Sequence, residues 1–210
     1  MTRESRIRWL FSFSYQQGGW GTETDESRDG HGTCVASKAL GSIHGSAKRA
    51  KLAVVKMRDY KQGEISSILD LVLRDIVANG LQKRSIVMFS WSSETPVDPI
   101  NPGRVWARVK TEFERLDAAG VPVVASAGNR GPKAFRIDVD QAPAVLWSDQ
   151  APLIIVGNVN NTGYKARLSK GGRKVNVWAP GEKIKCAAVN QGQVGVRTIS
   201  GTSFCKRAEI

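Results

Sequence analysis

The chain has 210 residues, 41% of them hydrophobic and 24% charged, which suits one globular domain with a buried core and excludes a disordered or fibrous chain. Lysine and arginine outnumber aspartate and glutamate by 31 to 19, a formal net charge of +12, which permits contact with a polyanion but does not specify a fold. No run approaches the roughly eighteen apolar residues of a membrane-spanning helix, and Met1 to Trp9 has three arginines without the apolar block of a signal peptide.

Leu52 to Met57 is a short β-rich run, followed by Ile65, Ile68, Leu69, Val72, Leu73 and Ile76 at helical spacing, with Asn79-Gly80 as the stop. Ser85 to Phe89 has the length and composition of a buried strand. After a loop marked by Pro96, Pro99 and Pro102, a stripe of Trp106, Val109, Phe113 and Leu116 predicts a second helix, ended by Gly120. Val121 to Ala125 and Leu153 to Val156 are further strand-length apolar runs. Strands alternating with helices predict an α/β domain with a mainly parallel sheet.

From Lys165 onward the chain is strongly basic. Its lysines and arginines are interleaved with Val175, Val177, Trp178, Ile184, Val194 and Val196, which read as short strands and turns rather than a solvated tail. No repeat, low-complexity segment or linker divides the chain, so one domain over residues 1–210 is expected. Cys34, Cys186 and Cys205 form no CxxC pair, so neither a zinc site nor a disulfide framework is predicted, and the odd count leaves at least one free thiol. With only His31 and His44 available, a histidine metal cluster is not expected, and no acidic loop suited to calcium is visible. No metal or cofactor is predicted.

Three short motifs fall at junctions between elements. In Asp29-Gly30-His31-Gly32-Thr33-Cys34, glycines flank a lone histidine before a run of small residues. Such a histidine is either a general base, since its ordinary pKa lies near neutrality, or a structural residue at a helix start. Ser126-Ala127-Gly128-Asn129 carries a buried strand into a tight turn, where the asparagine either donates to an oxyanion or serves the turn. In Gly201-Thr202-Ser203, the glycine allows substrate close to a hydroxyl. A serine needs a base to become a nucleophile, and a loop or capping serine is the alternative. Cys34, one helical turn from His31, reads as a small buried hydrophobe.

In this order and around these strands, the motifs resemble those of the subtilisin-like serine proteases, the subtilase or peptidase S8 family. His31 matches the family's GHGT motif, Asn129 its SAGN oxyanion motif and Ser203 its GTS nucleophile motif. Ser90-Trp91-Ser92 resembles the substrate-binding strand, and Trp178-Ala179-Pro180-Gly181 the turn before the serine. The resemblance implies a three-layer α/β sandwich, serine endopeptidase activity on peptide or protein substrates, and a monomer. It also implies Ser203 as nucleophile, His31 as base and Asn129 as oxyanion donor, with Ser90, Trp91, Ser92, Ser126, Ala127 and Gly128 lining the cleft and pairing with the peptide main chain.

The family's triad aspartate, on a first strand about thirty residues before the histidine, has no counterpart. Glu4, Glu23, Asp25, Glu26 and Asp29 lie upstream of His31, none in the family's context, and Arg6 to Phe13 resembles the segment between the aspartate strand and the histidine helix. The small-residue central helix that follows the family serine is absent as well: the chain reads Cys205-Lys206-Arg207-Ala208-Glu209-Ile210. The expectation is an incomplete catalytic domain, impaired and unstable, with Ser203 on a frayed end. Two other readings are a non-catalytic peptide-binding pseudoprotease and a basic nucleic-acid-binding protein, the latter without any nucleic-acid-binding motif. The resemblance suggests a secreted or vacuolar protein, whereas the chain shows no signal peptide; the expected partners exclude nucleic acid and membrane.

Overall fold

The computed structural model describes residues 6–14, 19–20, 25, 30–57, 62–130, 137–190 and 193–205. In chain order the strands are β1 (Ile7–Ser14), β2 (Gly19–Trp20), β3 (Leu52–Lys56), β4 (Val87–Phe89), β5 (Val123–Ser126), β6 (Leu153–Val159), β7 (Val177–Pro180), β8 (Ile184–Asn190) and β9 (Gln193–Ile199). The helices are α1 (His31–Leu40), α2 (Gln62–Ala78) and α3 (Gly103–Ala118). They fall into two compact units: Met1–Tyr60 with Ile184–Ile199 and Arg207–Ile210, and Lys61–Lys183 with Ser200–Lys206.

In the first unit, β1 runs parallel to β3, with Ile7 opposite Leu52 and Ser12 opposite Lys56, and antiparallel to β2. β8 and β9 form an antiparallel hairpin, Ile184 facing Ile199 and Asn190 facing Gln193. The hairpin packs on α1: the Ala187 amide donates to Ser37 Oγ at 3.0 Å, and Cys34 of α1 is joined to Cys186 of β8 by a disulfide. This corrects the expectation of no disulfide and shows that Cys34, though buried, is half of a bridge and not simply a small hydrophobe; Cys205 is the free thiol that the odd count required. The 152-residue separation of Cys34 and Cys186 hides the pairing, because only folding brings the hairpin to the helix.

The second unit is built on four parallel strands in the order β4-β5-β6-β7. Parallel neighbours require a crossover, and between β4 and β5 it is α3. β5 reads as continuous apolar sequence because its Val123, Ala125 and Ser126 are all buried. The stripes predicted from spacing form the core: Ile65, Leu69, Leu73 and Ile76 of α2 and Trp106, Val109, Phe113 and Leu116 of α3 are buried. Phe113 meets Phe89 edge to face at 6.1 Å, and Trp106 stacks on Trp91 at 6.0 Å. The basic stretch is ordered rather than a solvated tail: Lys170 is buried, and Lys174 lies over the Trp147 ring and donates to its carbonyl. Burial, then the charge of Lys110, lowers the Lys174 pKa.

At the surface of the second unit, Asp70 of α2 accepts from Arg115 of α3 at 2.8 Å and pairs with Arg74 at 2.6 Å. The Arg115 hydrogen bond, followed by the nearby Arg74, holds the Asp70 carboxyl below its usual value. A carboxyl whose folded pKa is depressed adds stability above the ordinary carboxylate range and loses it as pH falls. The urea midpoint of the parent is therefore expected to fall further between pH 7 and pH 3 than that of Asp70→Asn. Equal falls would assign the pair no part in acid stability, and added salt should shrink the difference because the pair is exposed.

Candidate active site

Ser203 lies in the second unit in a 3-10 turn, Thr202–Phe204, and is 8% exposed. Its hydroxyl donates to the Ser90 carbonyl at 2.9 Å, and Ser90 Oγ donates back to the Ser203 carbonyl at 3.3 Å. Asn129 Oδ1 accepts from the Thr202 amide at 3.0 Å and from Thr202 Oγ1 at 3.1 Å. The loop is supported from below by the turn at Gly181, whose carbonyl accepts from the Gly201 amide at 2.9 Å. A Cβ on Gly181 would lie 2.0 Å from Cys205 Sγ and 2.9 Å from the Gly201 carbonyl oxygen, so only glycine fits there. Ser203 is thus held by named contacts rather than placed on a frayed end, and residues 206–210 of the expected tail lie outside the described residues.

The structure therefore brings Ser203, Asn129 and Ser90 together. The amide geometry of Asn129 gives this arrangement chemical meaning. Only its oxygen can accept from Thr202, so pinning Oδ1 fixes where the two N–H donors of Nδ2 point. Nδ2 lies 3.6 Å from where a Cβ on Gly201 would sit, a position the Phe204 ring approaches to 3.2 Å, so the donor faces the glycine of the nucleophile loop.

Of the expected cleft residues, Ser90, Trp91 and Ser92 follow β4 directly, and the Trp91 ring is fixed against Trp106. Ser126, Ala127 and Gly128 are buried at the end of β5. Their main chain is engaged within the fold: the Ala127 amide donates to the Val156 carbonyl, and the Gly128 carbonyl accepts from the Lys170 amide. These two bonds fix the segment as one wall beside the Asn129 turn. Gly128 has φ +90°, a conformation that favours glycine.

His31 belongs to the first unit, as the first residue of α1, and is half-buried. The preceding Gly30 has φ +56°, and a Cβ there would touch the Val189 main chain at 3.4 Å. Gly30 has no side chain to cap the helix, and Asp25 takes that role: its Oδ2 accepts from the Thr33 amide at 2.8 Å and from Thr33 Oγ1 at 2.7 Å. A carboxylate at a helix N-terminus satisfies orphan amides and the helix dipole. Glu4, Glu23, Glu26 and Asp29 lie outside the described residues.

Sequence reasoning missed Asp25 as a cap, because it stands outside the local capping pattern, and Cys186 as the partner of Cys34. It also missed Thr202 as the residue that orients Asn129, although Thr202 sits inside the GTS motif. Among the described residues no group of three or more His, Cys, Asp or Glu could hold a metal ion, and no helix is long and apolar enough to cross a membrane.

Comparison with known proteins agrees with the motifs. The family model described as "Subtilase family" matches residues 12–205. Subtilisin-like protease 2 of Trichophyton rubrum is 30% identical over 185 residues, covering 87% of this chain and 39% of the relative. Subtilisin-like protease 1 of Pseudogymnoascus destructans is 29% identical over 201 residues, covering 96% of this chain and 44% of the relative. The chain therefore spans about two fifths of the length of these curated relatives. Among solved structures, a cold adapted subtilisin-like serine proteinase superposes with a TM-score of 0.72 at 22% identity, over 97% of this chain and 65% of that one. At that identity the likeness speaks for the fold.

The disulfide makes a countable prediction. In denaturant without a reductant, alkylation is expected to add a single group, at Cys205, the cysteine outside the bridge; after reduction all three of the chain's cysteines should react. Three adducts before reduction would remove the link between α1 and β8.

Proposed function

Because the chain belongs to the subtilase family, we propose that it is serine endopeptidase machinery acting on peptide bonds of peptides or proteins. Residues 1–210 form part of one catalytic domain, a reading supported by a single family match that runs through both units. Ser203 Oγ attacks the scissile carbonyl carbon while His31 takes its proton. The carbonyl oxygen becomes an oxyanion held by Asn129 Nδ2 and a main-chain N–H. When the C–N bond breaks, His31 returns the proton to the leaving amine, and water repeats the sequence to release the acyl group.

The observation that carries this reading is the pinning of Asn129 Oδ1 by both donors of Thr202, which orients the amide against the loop that carries the candidate nucleophile. Ser203 must first turn its hydroxyl away from the Ser90 carbonyl, a rotation about one side-chain bond. Asp25 Oδ2 is engaged at Thr33, and the acid that orients His31 is left unassigned. Serine proteases deprived of the triad aspartate lose about 10⁴-fold in kcat, so an incomplete triad would show as slow acylation with little turnover.

A fluorophosphonate that labels activated serines tests this. Slow labelling is expected, mapping to Ser203, lost in Ser203→Ala and strongly reduced in His31→Ala. Asn129→Ala should slow it about 10²- to 10³-fold, the usual cost of an oxyanion donor. Labelling that persists in Ser203→Ala, or none in the parent, would overturn the assignment.

A further inference from the structure

Lys170 is 5% exposed, and nothing in the proposed chemistry uses it. Its ammonium pairs with Asp140 and donates to Gln141 Oε1 at 2.6 Å. The other end of the Gln141 amide donates to the carbonyls of Ser93 and Glu94. Ser93, itself 1% exposed, is further locked to the next residue: its amide donates to the Ala142 carbonyl, and its Oγ accepts from the Ala142 amide. On the opposite side, the Lys170 amide donates to the Gly128 carbonyl, and a Cβ on Gly128 would meet Gln141 Oε1 at 3.2 Å and Lys170 Cδ at 3.3 Å. One residue thus grips the 126–128 wall through its main chain and the 90–93 segment through Gln141.

A buried ion pair is costly to desolvate, and apolar residues of similar size often replace one with no loss of stability. Stability alone is therefore a poor reason for an ammonium here, whereas a fixed spacing between two walls is a geometric demand that directed hydrogen bonds meet and apolar packing does not. We propose that Lys170, with Asp140 and Gln141, is a positioning residue for substrate: it sets the spacing between Ser90–Ser93 and Ser126–Gly128 and so the fit of a peptide lying along them. The inference rests on the reading of these segments as the cleft.

The test uses the full chain carrying Ser203→Ala and a fluorescein-labelled, alanine-based hexapeptide, followed by anisotropy. Lys170→Met/Asp140→Leu, which removes both charges together, should melt within a few degrees of the parent or above it, yet bind the peptide at least tenfold more weakly. Gln141→Leu keeps the ion pair and removes the side-chain bonds from Gln141 to Lys170, Ser93 and Glu94, so it provides the same test if the double variant fails to fold. A folded variant that binds as tightly as the parent overturns the role of Lys170 and leaves the cleft standing. A parent that does not bind the peptide overturns the cleft and the inference with it.

Discussion

The nucleophile loop lies so close to the Gly181 turn that no side chain can stand between them. A methyl group on Gly181 would overlap Cys205 Sγ, and this contact, with the Gly201 amide on the Gly181 carbonyl, sets where the 200–205 segment can run. Thr202 is then within reach of Asn129, and Ser203 of Ser90. The site consists of short-range consequences of one tight approach, which explains how a segment with only one 3-10 turn keeps a serine at a defined place. Two of the parallel strands contribute by ending side by side: β4 leads directly into Ser90, and β5 runs on through Ala127 and Gly128 to Asn129. In open parallel sheets the carboxyl ends of strands are where functional side chains gather.

The first unit fixes its histidine by different means. Gly30 adopts the left-handed conformation that starts α1, Asp25 caps the amide of Thr33 in place of a side chain on Gly30, and Cys34 ties the helix to β8 one turn after His31. Three constraints around the first turn of a ten-residue helix leave its start little freedom. A helix this short is marginal on its own, so the constraints, more than helix propensity, place the imidazole.

Most of the fold is legible in the sequence because it rests on periodicity. The stripes of α2 and α3 and the apolar runs of β3 to β6 are found close to the expected positions; β5 and β6 are buried, whereas β3 and β4, the latter expected as a buried strand, are only half-buried. The order of the three motifs exposes the candidate site, since each combines a reactive side chain with glycines that permit close approach. What stays hidden depends on contacts between residues that no local pattern joins: Cys34 with Cys186, Asp25 with Thr33, Thr202 with Asn129 and Lys170 with Gln141. A lysine inside a basic stretch gives no sign that it will be buried. The helical period predicts burial of apolar residues; it has no means of predicting a charge that is buried because its partner comes with it.

At the centre of the proposed chemistry, Ser203 and Asn129 act on the same carbonyl. The most direct measurement is a crystal structure of the chain soaked with a peptidyl boronate, which forms a tetrahedral adduct on an activated serine. The expected result is boron bonded to Ser203 Oγ, one boronate oxygen within hydrogen-bonding distance of Asn129 Nδ2, and the peptide lying along Ser90 to Ser92. An adduct on Ser203 with Asn129 Nδ2 turned away, or boron on any other residue, would contradict it.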